Sequence, residues 1–145
     1  MEQCYMFKID ENKTWSRVEE RLESARLYKR FGFIRREAKI TASYDDTPRS
    51  YTGVTSDQTA DISVYNVDQE ERMHNQYEQV MRAVGRLASI QRKIIEERYL
   101  GEEDVTDINV YVDLHLSERT YYYEKAKAMY RLAYALGLEV YEEVT

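Results

Sequence analysis

In the run SERTYYYEKAKAMYR, Ser117 is followed by Arg119, Thr120, Tyr122 and Tyr123, and then by Lys125, Lys127 and Arg131. A guanidinium, a hydroxyl and phenols in the first turns of a helix are groups that reach base edges in a DNA major groove. Cations further along such a helix suit phosphate oxygens, which orient a protein on a duplex without reading its sequence. Ser117, Arg119, Thr120, Tyr122, Tyr123, Lys125, Lys127 and Arg131 are therefore the candidate DNA-binding residues. Plainer readings stand beside this one. Arg119 can pair locally with Glu118, Glu124 or an acid of the preceding helix, at little net gain. Glu118 and Glu124 oppose phosphate binding or accept from cytosine N4. The run Tyr121-Tyr122-Tyr123 also fits a protein interface or a stacking platform, and at least one of its members belongs in a core.

Catalysis has less to work with. No glycine loop for nucleotides and no nucleophile beside a histidine occurs in the sequence. The histidines, His74 and His115, stand apart from each other and from the single cysteine, Cys4, so no metal-ligand spacing exists. The carboxylates are spread over helix surfaces, where solvation explains them better than acid-base work. A protein that is not an enzyme and has no cofactor is the expectation.

The elements that must position the candidate residues can be read from caps and periodicity. Thr106 is a suitable N-cap for a short helix with Ile108, Val110, Tyr111, Val112 and Leu114 as apolar contacts. These β-branched residues are indifferent helix formers, so that helix depends on packing. A tight turn follows at Leu114-His115-Leu116-Ser117, with His115 where a positive φ is expected; a buried structural histidine and a metal ligand are its rival readings. Ser117 caps a longer helix that ends at Gly137, with Tyr121, Ala128, Met129, Leu132, Ala135 and Leu136 facing inward. Upstream, Asp68 with Glu71 has capping-box-like spacing and opens a helix whose stripe is Met73, Tyr77, Val80, Met81, Val84 and Leu87. Ser89 then caps another, with Ile90, Ile94, Ile95 and Tyr99 inward, before a break at Gly101-Glu102-Glu103-Asp104.

Further upstream, Thr14 is placed to cap a helix from Trp15 to about Phe31, stopped by Gly32, with Trp15, Val18, Leu22, Ala25 and either Tyr28 or Leu27 on one face. Its other face and exit carry Arg17, Arg21, Arg26, Lys29, Arg30, Arg35, Arg36 and Lys39, a solvated face or a phosphate contact. The run Tyr5 to Ile9 reads as a strand or a packed anchor. Residues 41–60 are rich in Ser, Thr and Asp and hold the only Pro, so a loop or mobile linker is expected, followed by a brief extended piece at Ile62, Val64, Tyr65 and Val67. The resulting division is an N-terminal helical segment at 1–40, a polar acidic linker at 41–67, a helix-turn-helix domain at 68–138 and a tail at 139–145, where Val140 and Tyr141 can pack back.

The size, 145 residues, fits one core or one core with a helical appendage. The net charge of -6 counts against DNA binding only if it is spread evenly. It is not: between Ser43 and Glu71, Asp45, Asp46, Asp57, Asp61, Asp68, Glu70 and Glu71 face Arg49 alone, and phosphate responds to the local field. No window is apolar enough to span a membrane, and the acid at position 2 with no long apolar run argues against a secretory signal. One cysteine fits a reducing compartment, so the cytosol is expected.

With these residues laid out, Thr106 to Leu132 resembles region four of bacterial primary sigma factors, sharing Thr106, Val110, Leu114, Leu116, Ser117, Tyr121 and Ala126-Lys127-Ala128. The runs RKIIEERYL at 92–100, SERTYY at 117–122 and LAYALG at 132–137 look like the ArpU family of phage and prophage transcriptional regulators, to which the RinA group is related. The similarity extends over about residues 68 to 141. It implies an all-α fold: a C-terminal four-helix domain like sigma region four, with an N-terminal helix and a flexible linker. It also implies a sequence-specific DNA-binding regulator in the host bacterial cytosol, activating phage late or packaging genes. Its partners are then double-stranded DNA and host RNA polymerase, with no membrane. Because one short helix seldom secures affinity, a homodimer is expected. Two alternatives stay open, a sigma-like module that binds RNA polymerase and a packaging subunit like the small terminase.

Overall fold

The computed structural model describes residues 8–37 and 54–143, and five helices lie among them. α1 (Glu11–Phe31) starts one turn earlier than a cap at Thr14 predicts, because Asp10 caps it, its carboxylate accepting from the Lys13 amide at 3.1 Å. Thr14 is a fully buried side chain instead, in phase with Val18, Leu22 and Ala25. Its hydroxyl accepts from the Val140 amide at 3.0 Å and so fastens the C-terminal tail to α1. Asp10 N donates to Val140 O and Glu142 N to Lys8 O, both at 2.7 Å, around an antiparallel bridge between Ile9 and Tyr141. The tail thus packs back; of the run Tyr5 to Ile9, residues 5–7 lie outside the described residues.

α2 (Val54–Gly85) is 32 residues, about 48 Å of helix. It crosses the expected border between 67 and 68 without a break, so the second half of the expected linker and the extended piece at Ile62 to Val67 are helical. Asp68 and Glu71 accordingly sit inside a helix and open nothing. The reason is phase: Ile62, Tyr65, Asn66, Gln69, Met73, Tyr77, Val80 and Val84 recur at three- and four-residue steps and are buried or half-buried, one stripe along the whole helix. Buried Asn66 also gives this part of α2 a polar anchor. Its Oδ1 accepts from the Arg36 amide at 2.8 Å and its Nδ2 donates to the Arg36 carbonyl at 3.1 Å. α1 and α2 therefore run antiparallel, with Tyr28 on Tyr77 at 5.1 Å and the exit of α1 beside Asn66. The remainder of the expected linker, 41–53, lies outside the described residues.

α3 (Ser89–Tyr99) follows a tight turn in which Arg86 N and Leu87 N donate to Ala83 O and Val84 O. Ser89 is its first helical residue and not its cap; Ala88 holds that place with no side-chain hydrogen bond, and buried Leu87 anchors the start. α4 (Asp107–Asp113) and α5 (Glu118–Leu136) complete the chain. Val18, Leu22, Val80, Val84, Ile95, Met129 and Leu132 belong to one core, so α1 shares its interior with α2, α3 and α5. A smaller cluster of Ile94, Val110 and Tyr121 seats α4 on α3 and α5. Within α5 the expected inward Tyr121, Ala128, Met129 and Leu132 are buried, but Ala135 is exposed and Ala133 is buried in its place. The tail causes this. Gly137, at φ 65°, reverses the chain so that Leu138 N donates to Ala133 O at 2.9 Å and Leu138 is buried beside it.

Candidate nucleic-acid interface

Three local devices aim the start of α5. Thr106 caps α4 in a reciprocal box: its hydroxyl accepts from Asn109 N at 3.3 Å, and Asn109 Oδ1 accepts from Thr106 N at 3.0 Å. The turn that closes α4 passes through His115, whose φ of 56° is the positive value expected of it. His115 N donates to Val112 O and Leu116 N to Tyr111 O, a closure of the same kind that Gly137 makes for α5. Ser117 then caps α5, its hydroxyl oxygen accepting from Thr120 N at 3.2 Å while its own proton goes to Thr120 Oγ1 at 2.8 Å.

A single carboxylate oxygen joins three helices beneath this start. Asp107 Oδ1 of α4 accepts from the Tyr121 hydroxyl at 2.5 Å, from Lys125 Nζ at 2.9 Å and from Arg98 Nε of α3 at 3.1 Å. Burial works to raise the Asp107 pKa, but the hydrogen bonds from Tyr121 and Lys125 and the charges of Lys125 and Arg98 outweigh it and hold the carboxyl below its usual value. Burial and the bond to Asp107 push the Tyr121 phenol upward, and burial and Glu19 do the same for Tyr99, so both remain protonated donors. Asp107 also sits in the first turn of α4, where the helix dipole favours negative charge. A second polar link runs through buried Gln91 of α3. It donates to Glu124 Oε2 at 3.0 Å and accepts from Arg131 Nη1 at 2.6 Å.

The candidate residues divide accordingly. Arg119, Thr120, Tyr122 and Tyr123 are all exposed on the first turns of α5, and Arg119 makes no ion pair with any described residue. Ser117 and Thr120 share the cap. Lys127 is half-buried with its ammonium 4.5 Å from the Tyr123 ring centre, and Arg131 is exposed with one nitrogen held by Gln91. Lys125 is turned inward. Its side chain is 16% exposed and committed to Asp107, because it lies one turn after Tyr121 and shares the buried face. Asp107, Arg98 and Gln91 were not among the expected site residues, and no periodicity marks them; each acts on a different helix from its own.

Among the described residues no group of His, Cys, Asp or Glu is arranged to hold a metal ion. No helix there is long and apolar enough to cross a membrane. The chain is similar to Protein Gp66 of Listeria phage A118, 28% identical over 106 residues that cover 73% of this chain and 72% of that protein. It is also similar to an uncharacterized phage-related protein of Listeria innocua, 26% identical over 106 residues covering 73% and 74% of the two chains. No family model and no solved structure matches. The relatives are thus phage or phage-related proteins, and the fold, among the described residues, is all-helical.

Proposed function

We propose that this chain is a phage DNA-binding transcriptional regulator, not an enzyme, that uses α4, the His115 turn and α5 as a helix-turn-helix like that of sigma region four. The observation that carries the reading is the Ser117-capped start of α5, which presents Arg119, Thr120, Tyr122 and Tyr123 to solvent on a base tied to α3 and α4 through Asp107. A capped, unobstructed N-terminal turn is the part of a recognition helix that enters the major groove. Arg119, Thr120, Tyr122 and Tyr123 then meet base edges, and Lys127 and Arg131 meet phosphates. Phage relatives fit activation of late or packaging genes, the role that the ArpU-like pattern implies.

The test is selection of bound fragments from the parent phage genome, followed by equilibrium binding at several salt concentrations. Specific duplexes are expected, with log affinity falling by about 0.9 per decade of salt for each phosphate neutralised. Failure to bind any genomic duplex even at low salt refutes the proposal.

A further inference from the structure

Two hollows of opposite charge meet at Gly101 and Glu102. One, of about 320 Å³, is lined by Arg26, Lys29 and Arg30 of α1 together with Leu100, Gly101 and Glu102. The other, of about 460 Å³, lies between the end of α3 and α4 and has Glu97, Glu102, Glu103 and Asp113 in its wall. Arg26 is used internally, with Nη1 2.7 Å from Asp104 and Nε donating to the Gly101 carbonyl at 2.8 Å. Lys29 and Arg30 are exposed and make no ion pair with any described residue, and the same holds for Glu97, Glu103 and Asp113. Exposed apolar side chains flank each set along the chain. Phe31 and Ile34, next along from Arg30, are 61% and 78% exposed; Ile108 and Val112, beside Asp113 on α4, are each 59% exposed.

DNA fits neither the mixed sign of this surface nor its anionic half, and the carboxylates are not grouped as ligands of a metal ion. A second copy of the same chain fits both halves. In a two-fold pair each contact is made twice, residue i of one copy on j of the other and j on i. An axis passing by Gly101 sets Lys29 and Arg30 of each copy against Glu97, Glu102, Glu103 and Asp113 of the other. We propose that this surface, the α1 exit with the α3–α4 hollow, pairs two copies of the chain as an isologous dimer. Opposite charges placed side by side on one face select that partner, because like-charged juxtaposition in other registers is costly.

Sedimentation equilibrium on the full chain without DNA tests this independently of the DNA-binding reading. A dimer is expected that weakens at molar salt, where the screening length falls to about 3 Å. Lys29→Glu with Arg30→Glu should raise the dimer dissociation constant by about a hundredfold or more, and Glu103→Lys with Asp113→Lys should do the same. The deciding arm is a mixture of the two double variants. Each swapped hollow then meets a complementary one in both contacts, so the one-to-one mixture should regain the dimer although neither variant forms it alone. Rescue by mixing also shows that the variants are folded. A wild-type chain that stays monomeric, a dimer indifferent to both swaps, or a mixture that fails to associate overturns the inference.

Discussion

Asp107→Ala removes the acceptor on which three helices converge, and its cost can be worked from the geometry. Tyr121 is 0% exposed, and its hydroxyl loses its partner; an unsatisfied buried hydroxyl costs about 1–3 kcal/mol. No described buried side-chain nitrogen or oxygen currently lacks a partner, so the substitution creates a defect of a kind that these residues avoid. Lys125 and Arg98, 16% and 29% exposed, are left as neighbouring cations. Solvent reaches both, which limits each lost pair to about 0.5–1 kcal/mol. The expected total is about 3 kcal/mol in urea denaturation at neutral pH. Tyr121→Phe, which removes only the donor, should cost about 1 kcal/mol, and the double variant should show a coupling of at least about 1 kcal/mol. pH supplies a second check. The folded pKa of Asp107 lies below 3.8, so its charge contributes in full above about pH 5 and is lost as pH falls through the lowered folded value. The stability gap between wild type and Asp107→Asn should therefore be constant near neutrality and narrow as pH falls from about 5 through the lowered folded value. A loss under about 1 kcal/mol for Asp107→Ala, or strict additivity in the double variant, refutes the idea that this carboxylate ties the helices together.

On DNA, Arg119→Ala should relax preference at one base position by about 1–3 kcal/mol, measured on a panel of operator variants; an unaltered preference removes it from the reading edge. Lys127→Ala should weaken all duplexes alike and reduce the salt slope by about 0.9, whereas Lys125→Ala should leave the slope alone and lower the denaturation midpoint. His115→Gly should stabilise the chain: relief of the left-handed conformation, about 1–2 kcal/mol, exceeds the added chain entropy of glycine, about 0.5–1 kcal/mol. Thermal denaturation reads the difference, and a lower midpoint contradicts the expectation. Thr14→Val deprives the Val140 amide of its acceptor and should cost about 1–2 kcal/mol, with faster hydrogen exchange at Val140 as the local signature.

Much of the fold was legible in local chemistry. The caps at Thr106 and Ser117, the positive φ at His115, the reversal at Gly137 and the inward set Tyr121, Ala128, Met129 and Leu132 all depend on residues within a few positions of each other. Where two local signals competed, composition misled. The Ser, Thr and Asp content before residue 68 read as linker, while the three- and four-residue recurrence of Ile62, Tyr65, Asn66 and Met73 continued the stripe of α2. Thr14 and Asp10 both have cap chemistry, and the choice fell to the one that left Thr14 free to hold Val140. Charge groups Lys125 with the other cations of α5, while its phase places it with Tyr121 on the buried face.

The amino-acid sequence by itself determined the caps at Thr106 and Ser117, the stop at Gly137, the buried face of α3 and most of that of α5, and which side chains at the start of α5 point away from that face. These are properties of a backbone with a 3.6-residue period and of caps that act within one turn. Of the apolar contacts read on α4, Ile108 and Val112 are exposed and Val110 alone is fully buried. Only the tertiary structure decided that α1 shares the core, that Asp107 gathers Arg98, Tyr121 and Lys125, that Gln91 holds Glu124 and Arg131, and that two opposite charges meet at Gly101. Each of these joins residues on different helices, and the spacing of one helix against another is set by how whole faces pack.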